Sequence, residues 1–191
     1  MKRVLIPLIL VNLSLNVVPC IHGADEVGPV QIGFIPPLQI LDEFASVRGL
    51  RLSLVYGRNE DVSGLDLGLL NETQGSLTGL GVGLANNVEE DVNGVMIGVL
   101  NRAGLDAVAV QIGVGNFVGE DIDGFQAGGI NVAHEIKGYQ LGVFNASWFT
   151  TGLQLGVVNV SGHIRGAQVG LLNIITEKPS WPALPIVNFY W

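Results

Sequence analysis

The chain is expected to be all-β, a stack of short tandem repeats wound into a β-solenoid with capped ends. Three observations lead there. One eight-residue phrase, Gly-h-Gln-h-Gly-h-h-Asn with h apolar, recurs at 14- to 15-residue spacing. Inside the phrase apolar residues alternate with Gly and Gln, which is the period of an extended strand. Asn, a residue suited to turns, closes every good copy, and 27 of the 191 residues are Gly.

Residues 1–23 read as a secretory signal peptide. Met1, Lys2 and Arg3 give a positive start, VLIPLILV (4–11) an apolar core, and Gly23 and Ala24 small residues at which cleavage is expected. Cys20 is expected to leave with this leader, because Val17, Val18 and Pro19 are poor company for a lipidated cysteine. Residues 24–48 form an N-terminal segment and cap. Within it LQILDEFASV (38–47) places Leu38, Leu41 and Phe44 at helical spacing, fit to cover one end of a stack.

Residues 49–191 form the β-repeat domain, of about ten copies with the first and last degenerate. The good copies are GLDLGLLN (64–71), GLGVGLAN (79–86), GVMIGVLN (94–101), AVQIGVGN (109–116), GFQAGGIN (124–131), GYQLGVFN (138–145), GLQLGVVN (152–159) and GAQVGLLN (166–173). Their structural asparagines are Asn71, Asn86, Asn101, Asn116, Asn131, Asn145, Asn159 and Asn173. Worn copies are GLRLSLVY (49–56) and WPALPIVN (181–188), with a fainter echo in PVQIGFIP (29–36). The proline-rich stretch from Pro179 to Pro185 is suited to closing the second end.

The second, fourth and sixth phrase positions, such as Leu153, Leu155 and Val157, share one face of a strand and are expected to point into the core. Gly152, Gln154 and Gly156 then lie outside, and Asn159 turns the corner. A second inward position is expected just before each phrase, at Val62, Leu77, Val92, Ala107, Ile122, Ile136, Phe149 and Ile164.

A closed antiparallel β-barrel with one strand per repeat also fits the periodicity. The aromatic end Phe189-Tyr190-Trp191 and acidic linkers at RNEDVSG (58–64), VEEDVNG (88–94) and VGEDIDG (118–124), recurring every 30 residues, speak for it. Height speaks against a membrane-spanning form, since three alternating residues cover about 13 Å, whereas such a barrel needs an apolar band of about 25 Å.

The phrases resemble the surface-repeat family of exported proteins of leptospires and other bacteria with outer membranes. The resemblance covers residues 29–191 and rests on the repeat, on GLRLSLVYG (49–57) and on the leader. It implies an exported or surface location and brings no catalytic residues. The chain departs from the phrase at Ala109, which replaces Gly, and at Asp66, Gly81 and Met96, which replace Gln.

Few residues are left for chemistry. Nucleic acid is excluded as a partner by 17 acidic against 9 basic residues, a net charge of -8. His134 and His163 lie in linkers with no nucleophile elbow, paired-histidine metal motif or phosphate-binding loop nearby. Gly79, Gly81 and Gly83 belong to a repeat copy, so no cofactor is expected. Asn71, Asn145 and Asn159 match the glycosylation pattern, but the repeat itself dictates them. Carboxylates in the acidic linkers offer hard oxygen ligands, which makes Asp61, Asp91, Asp121 and Asp123 the calcium candidates. Trp148 is expected to be left exposed, and the Gln rows to form a flat outer face.

The expected function is an exported, non-enzymatic structural or interaction module at the bacterial cell surface or in the periplasm. An outer-membrane barrel acting as a small pore is the alternative. The sequence identifies no partner, and a surface protein, a polysaccharide and membrane association all stay open.

Overall fold

A computed structural model describes residues 26–191, and the leader, its cleavage site and Cys20 lie outside that range. Every regular element among the described residues is a strand: β1 (Val27–Ile35), β2 (Leu38–Gln39), β3 (Ser46–Asn59), β4 (Val62–Thr73), β5 (Leu77–Val82), β6 (Ala85–Val88), β7 (Val92–Ile97), β8 (Leu100–Ala103), β9 (Ala107–Val118), β10 (Asp121–Ile175) and β11 (Ala183–Tyr190).

The elements stack as coils of a β-solenoid. β3 pairs with β4, β4 with β5 and β6, and these with β7 and β8, always parallel and always one repeat apart. Gly64 lies beside Gly79 and Gly79 beside Gly94, while Asn71 lies beside Asn86 and Asn86 beside Asn101. β9 continues the register into β10, which then winds through the remaining coils. A barrel with one strand per repeat requires antiparallel neighbours. The described antiparallel pairs occur only at the two ends, β1 with β2 and β10 with β11, so the barrel is ruled out and the pore has no fold to rest on.

Each coil is flat. Its first strand segment, as in β5, crosses to a corner at Gly83 and Leu84, and its second, as in β6, returns to the acidic linker. The two segments face one another across the interior, close enough for the Gln168 side chain on the first to reach the backbone of Ile174 on the second.

The facing of the strands is the reverse of the sequence expectation. Gln154 and Asn159 have no solvent exposure, whereas Val157 is 42% exposed. The h rows point outward, and the Gln and Asn rows fill the half of the interior nearest the Gly corner. The other half is hydrocarbon. Val62, Leu77, Val92, Ala107, Ile122 and Ile136 form one buried row, and Val88, Ala103, Val118 and Ala133 face them from the returning segment. Phe149 does not belong to this row. Thr150 takes the slot at 2% exposure, which leaves Phe149 38% exposed.

Both ends are covered, though not as the sequence suggested. PVQIGFIP is a coil, with Gln31 of β1 beside Arg51 of β3. Residues 38–47 form β2, turns and the start of β3 rather than a helix. Leu41 bridges the first rung through its backbone: its N–H donates to Gln31 Oε1 at 2.8 Å, and its carbonyl accepts from Gln31 Nε2 at 3.2 Å. At the far end WPALPIVN is not a further coil. It enters β11, which runs antiparallel to the last coil and sets Asn188 opposite Gln168. Lys178 fastens this strand by donating to Asn188 Oδ1 at 2.7 Å and to the Phe189 carbonyl at 3.1 Å.

Candidate functional site

Two amide ladders run the stack. In the first, each Asn Nδ2 donates to Oδ1 of the next Asn at 2.7–2.9 Å, from Asn71 through Asn86, Asn101, Asn116, Asn131, Asn145 and Asn159 to Asn173. Its second proton goes to the fourth-position carbonyl of the next phrase, as from Asn145 to Leu155 at 2.9 Å. Buried amides demand partners, and a translated copy of the same side chain supplies one at every step.

The second ladder runs the opposite way. Gln126 Nε2 donates back to Gln111 Oε1, and Gln140, Gln154 and Gln168 each donate to the rung before, at 2.7–2.8 Å. Its end atoms, Gln111 Nε2 and Gln168 Oε1, have no hydrogen-bond partner. The ladder cannot start earlier because Met96 and Gly81 hold the preceding slots. Nearer the N-terminus the row carries an ion pair. Arg51 Nε and Nη2 grip both Asp66 oxygens at 2.6 Å, and the guanidinium also donates to Thr73 Oγ1 at 3.0 Å and to the Glu72 carbonyl at 2.7 Å.

The two phrase glycines answer different needs. The first sits at positive φ, as Gly138 does at 143°, where a Cβ would come within 2.0 Å of the Gly124 carbonyl oxygen. The fifth lies under the preceding Asn, so that a Cβ on Gly142 would meet Asn131 Nδ2 at 2.6 Å. The phrase is therefore a specification for close-stacked coils with amides inside.

With those positions committed to the interior, the outer surface divides into two edges. At the Gly corner the second, fourth, sixth and seventh phrase positions are apolar and outward-facing, with Leu84, Val99, Val114, Val143 and Leu171 at the tip. The opposite edge carries the linker carboxylates. There Asp61 Oδ1 accepts from the Ser76 N–H at 2.9 Å, Asp91 Oδ1 from Asp106 N–H at 3.1 Å, and Asp106 Oδ1 from Asp121 N–H at 3.1 Å. Asp121 also lies 3.7 Å from His134 Nδ1, and Asp123 is exposed at a strand rim. Among the described residues no three or more carboxylate, His or Cys side chains gather as a metal would require, so Asp61, Asp91, Asp121 and Asp123 are spread along the edge rather than brought together.

The histidines meet on one aromatic ring. His163 stacks on Phe149 with ring centroids 5.1 Å apart, and His134 meets the same ring edge-on at 6.1 Å. Trp148 packs edge-on against both Phe149 and His163. This exposed aromatic row across three coils escaped the sequence analysis because Phe149 was assigned inward; the signal was the constant spacing of two residues between slot and phrase, which gives Thr150 before Gly152. No family model, no curated protein and no solved structure matches the chain, so its functional assignment rests on the two-edged solenoid itself.

Proposed function

We propose that the chain is an exported, non-enzymatic β-solenoid that works as a structural or interaction module at the bacterial surface or in the periplasm. One observation carries this: the polar groups of the repeat are spent inside on ladders, while the outside presents a long uncharged apolar edge opposite a carboxylate edge. Contiguous exposed apolar surface on this scale marks a contact site. The leader and the resemblance to exported surface-repeat proteins support the location, and a carboxylate edge keeps the opposite side solvated.

The test is fractionation of cells that express the full chain with a C-terminal epitope, followed by protease treatment of intact and permeabilised cells. Recovery in the envelope or medium with the leader removed is the expected result. Retention in the cytoplasm with the leader intact would refute the proposal.

A further inference from the structure

We propose that the cavity beside the aromatic row takes a carboxylated sugar, a hexuronate unit of an acidic polysaccharide. This deepens the interaction-module reading above and rests on it, giving the module a ligand.

The cavity opens between the linker edge of the last coils and the end of β11. Its volume of about 480 Å³ lies within the roughly 300–1,000 Å³ of small-molecule sites. Two parts of the fold build it. The linker edge brings Phe149 and His163 together as stacked rings, 5.1 Å apart between centroids and 10° from parallel. β11 runs back antiparallel to set Tyr190 opposite Gly166, and Trp191 follows it. Rings from separate stretches of the chain thus share one hollow, and Phe149, Tyr190 and Trp191 all keep exposed surface there.

The charged groups in the wall are Glu135 and Arg165, and they are unequally engaged. Lys137 Nζ lies 3.2 Å from Glu135 Oε1, which balances that carboxylate and leaves its second oxygen to accept. Arg165 is exposed, and its guanidinium makes no ion pair or side-chain hydrogen bond among the described residues. A guanidinium is the side chain best shaped to take a carboxylate through two parallel N–H donors. The surrounding charge agrees. From His134 to Trp191 stand only two of the chain's 17 acidic residues, Glu135 and Glu177, against Lys137, Arg165 and Lys178. The linker carboxylates of the earlier coils repel an anion, whereas around this cavity bases outnumber acids.

Each wall asks for a different property of the occupant. Arg165 asks for a carboxylate. Glu135, being ionised, can only accept, so it asks for O–H donors. The rings ask for an apolar face. A hexuronate carries all three, with a carboxylate at one end, hydroxyls round its rim and C–H groups on the faces of its ring. A neutral sugar lacks the charge, and a simple aromatic acid lacks the donors.

The test is isothermal titration calorimetry of the full chain with trigalacturonate, and with maltotriose as the uncharged sugar. The expected result is saturable binding of trigalacturonate, at least about 10-fold tighter than that of maltotriose. Arg165→Gln should weaken it by about 10- to 100-fold, through loss of charge-assisted hydrogen bonds. Trp191→Ala should weaken it by about 2- to 10-fold. Arg102→Gln removes an exposed cation on a distant coil and should leave binding unchanged. Far-ultraviolet circular dichroism checks the fold of each variant, and if one unfolds, the comparison of the two sugars on the parent chain carries the test. Absence of trigalacturonate binding overturns the proposal. Equal affinity for maltotriose also overturns it, by removing the carboxylate from recognition, and so does an equal loss at 102 and 165, which makes the attraction one of overall charge. These outcomes leave the module reading standing, which falls instead with a cytoplasmic chain in the fractionation test.

Discussion

Replacing Gln140 with Met takes a rung from the middle of the amide ladder, and replacing Gln111 with Met takes one from its end. The slot accepts Met in either case, since Met96 occupies the same row fully buried. The consequences differ because of what the neighbours lose. Without Gln140, Gln126 Oε1 loses its donor and is orphaned, while Gln154 Nε2 loses its ladder acceptor but keeps Ser147 Oγ at 3.2 Å and the Val160 carbonyl at 3.4 Å. An orphaned buried group costs about 1–3 kcal/mol and a lost hydrogen bond about 1 kcal/mol, so Gln140→Met should destabilise by about 2–4 kcal/mol. Gln111 already has an unpartnered Nε2. Its removal takes that orphan with it and costs Gln126 Nε2 one acceptor while leaving it the Val132 carbonyl at 3.5 Å, so the expected change is within about 1 kcal/mol. Urea unfolding followed by far-ultraviolet circular dichroism reads both. In Gln140→Met the damage should also weaken coupling between the coils on either side, seen as a broadened or two-step transition. Equal, small effects at 140 and 111 would refute a buried ladder, because solvated glutamines do not distinguish middle from end.

Three further outcomes follow from the same interior. Arg51→Met should cost about 3–5 kcal/mol by leaving the buried Asp66 carboxylate unpaired, and Arg51→Met with Asp66→Leu should restore most of it; denaturant midpoints decide, and an additive double variant contradicts the pairing. Gly138→Ala should cost more than about 3 kcal/mol because both φ and the Gly124 carbonyl forbid a Cβ, while Ala109→Gly, where the chain already holds a Cβ, should stay within about 1 kcal/mol; thermal unfolding compares them. Burial, with a hydrogen bond to Glu72, pushes Tyr56 up to about 12 from its ordinary 10.0. The folded state thus favours the protonated phenol, so its share of stability is complete below pH 10 and lost as pH rises toward 12, which absorbance titration near 295 nm tests against Tyr56→Phe.

The period, the stacked coils and the covered ends were legible because each follows from spacing and from the need to close a repeat array. Facing was not. Alternation names two faces without saying which is inside, and assigning the apolar one to the core follows a rule for ordinary sheets. The deciding signal lies in how each row varies along the chain. Asn recurs unchanged at the eighth position through all eight good copies, whereas the second position ranges from Ala167 to Phe125 and Tyr139. A buried amide needs its own translated copy as a partner, and an outer row carries no such demand. Thr150 escaped notice because, although it stands two residues before Gly152 as the slot does in every other repeat, Phe149 is the more apolar neighbour. The aromatic row of His134, Phe149 and His163 could not be seen until that slot was corrected. The reach of Arg51 to Asp66, one coil away in the row that Gln fills elsewhere, is visible in the repeat alignment only once that row is known to be buried.

Side-chain solvent access tests the inverted repeat most directly. Nuclear magnetic resonance of the folded chain with a soluble paramagnetic agent reads the amide protons of Gln140, Gln154, Asn145 and Asn159 alongside the methyls of Leu141, Val143 and Val157. Slowly exchanging, unbroadened side-chain amides together with strongly broadened methyls are the expected result. Broadened, rapidly exchanging amides beside protected methyls would contradict it and return the apolar rows to the core.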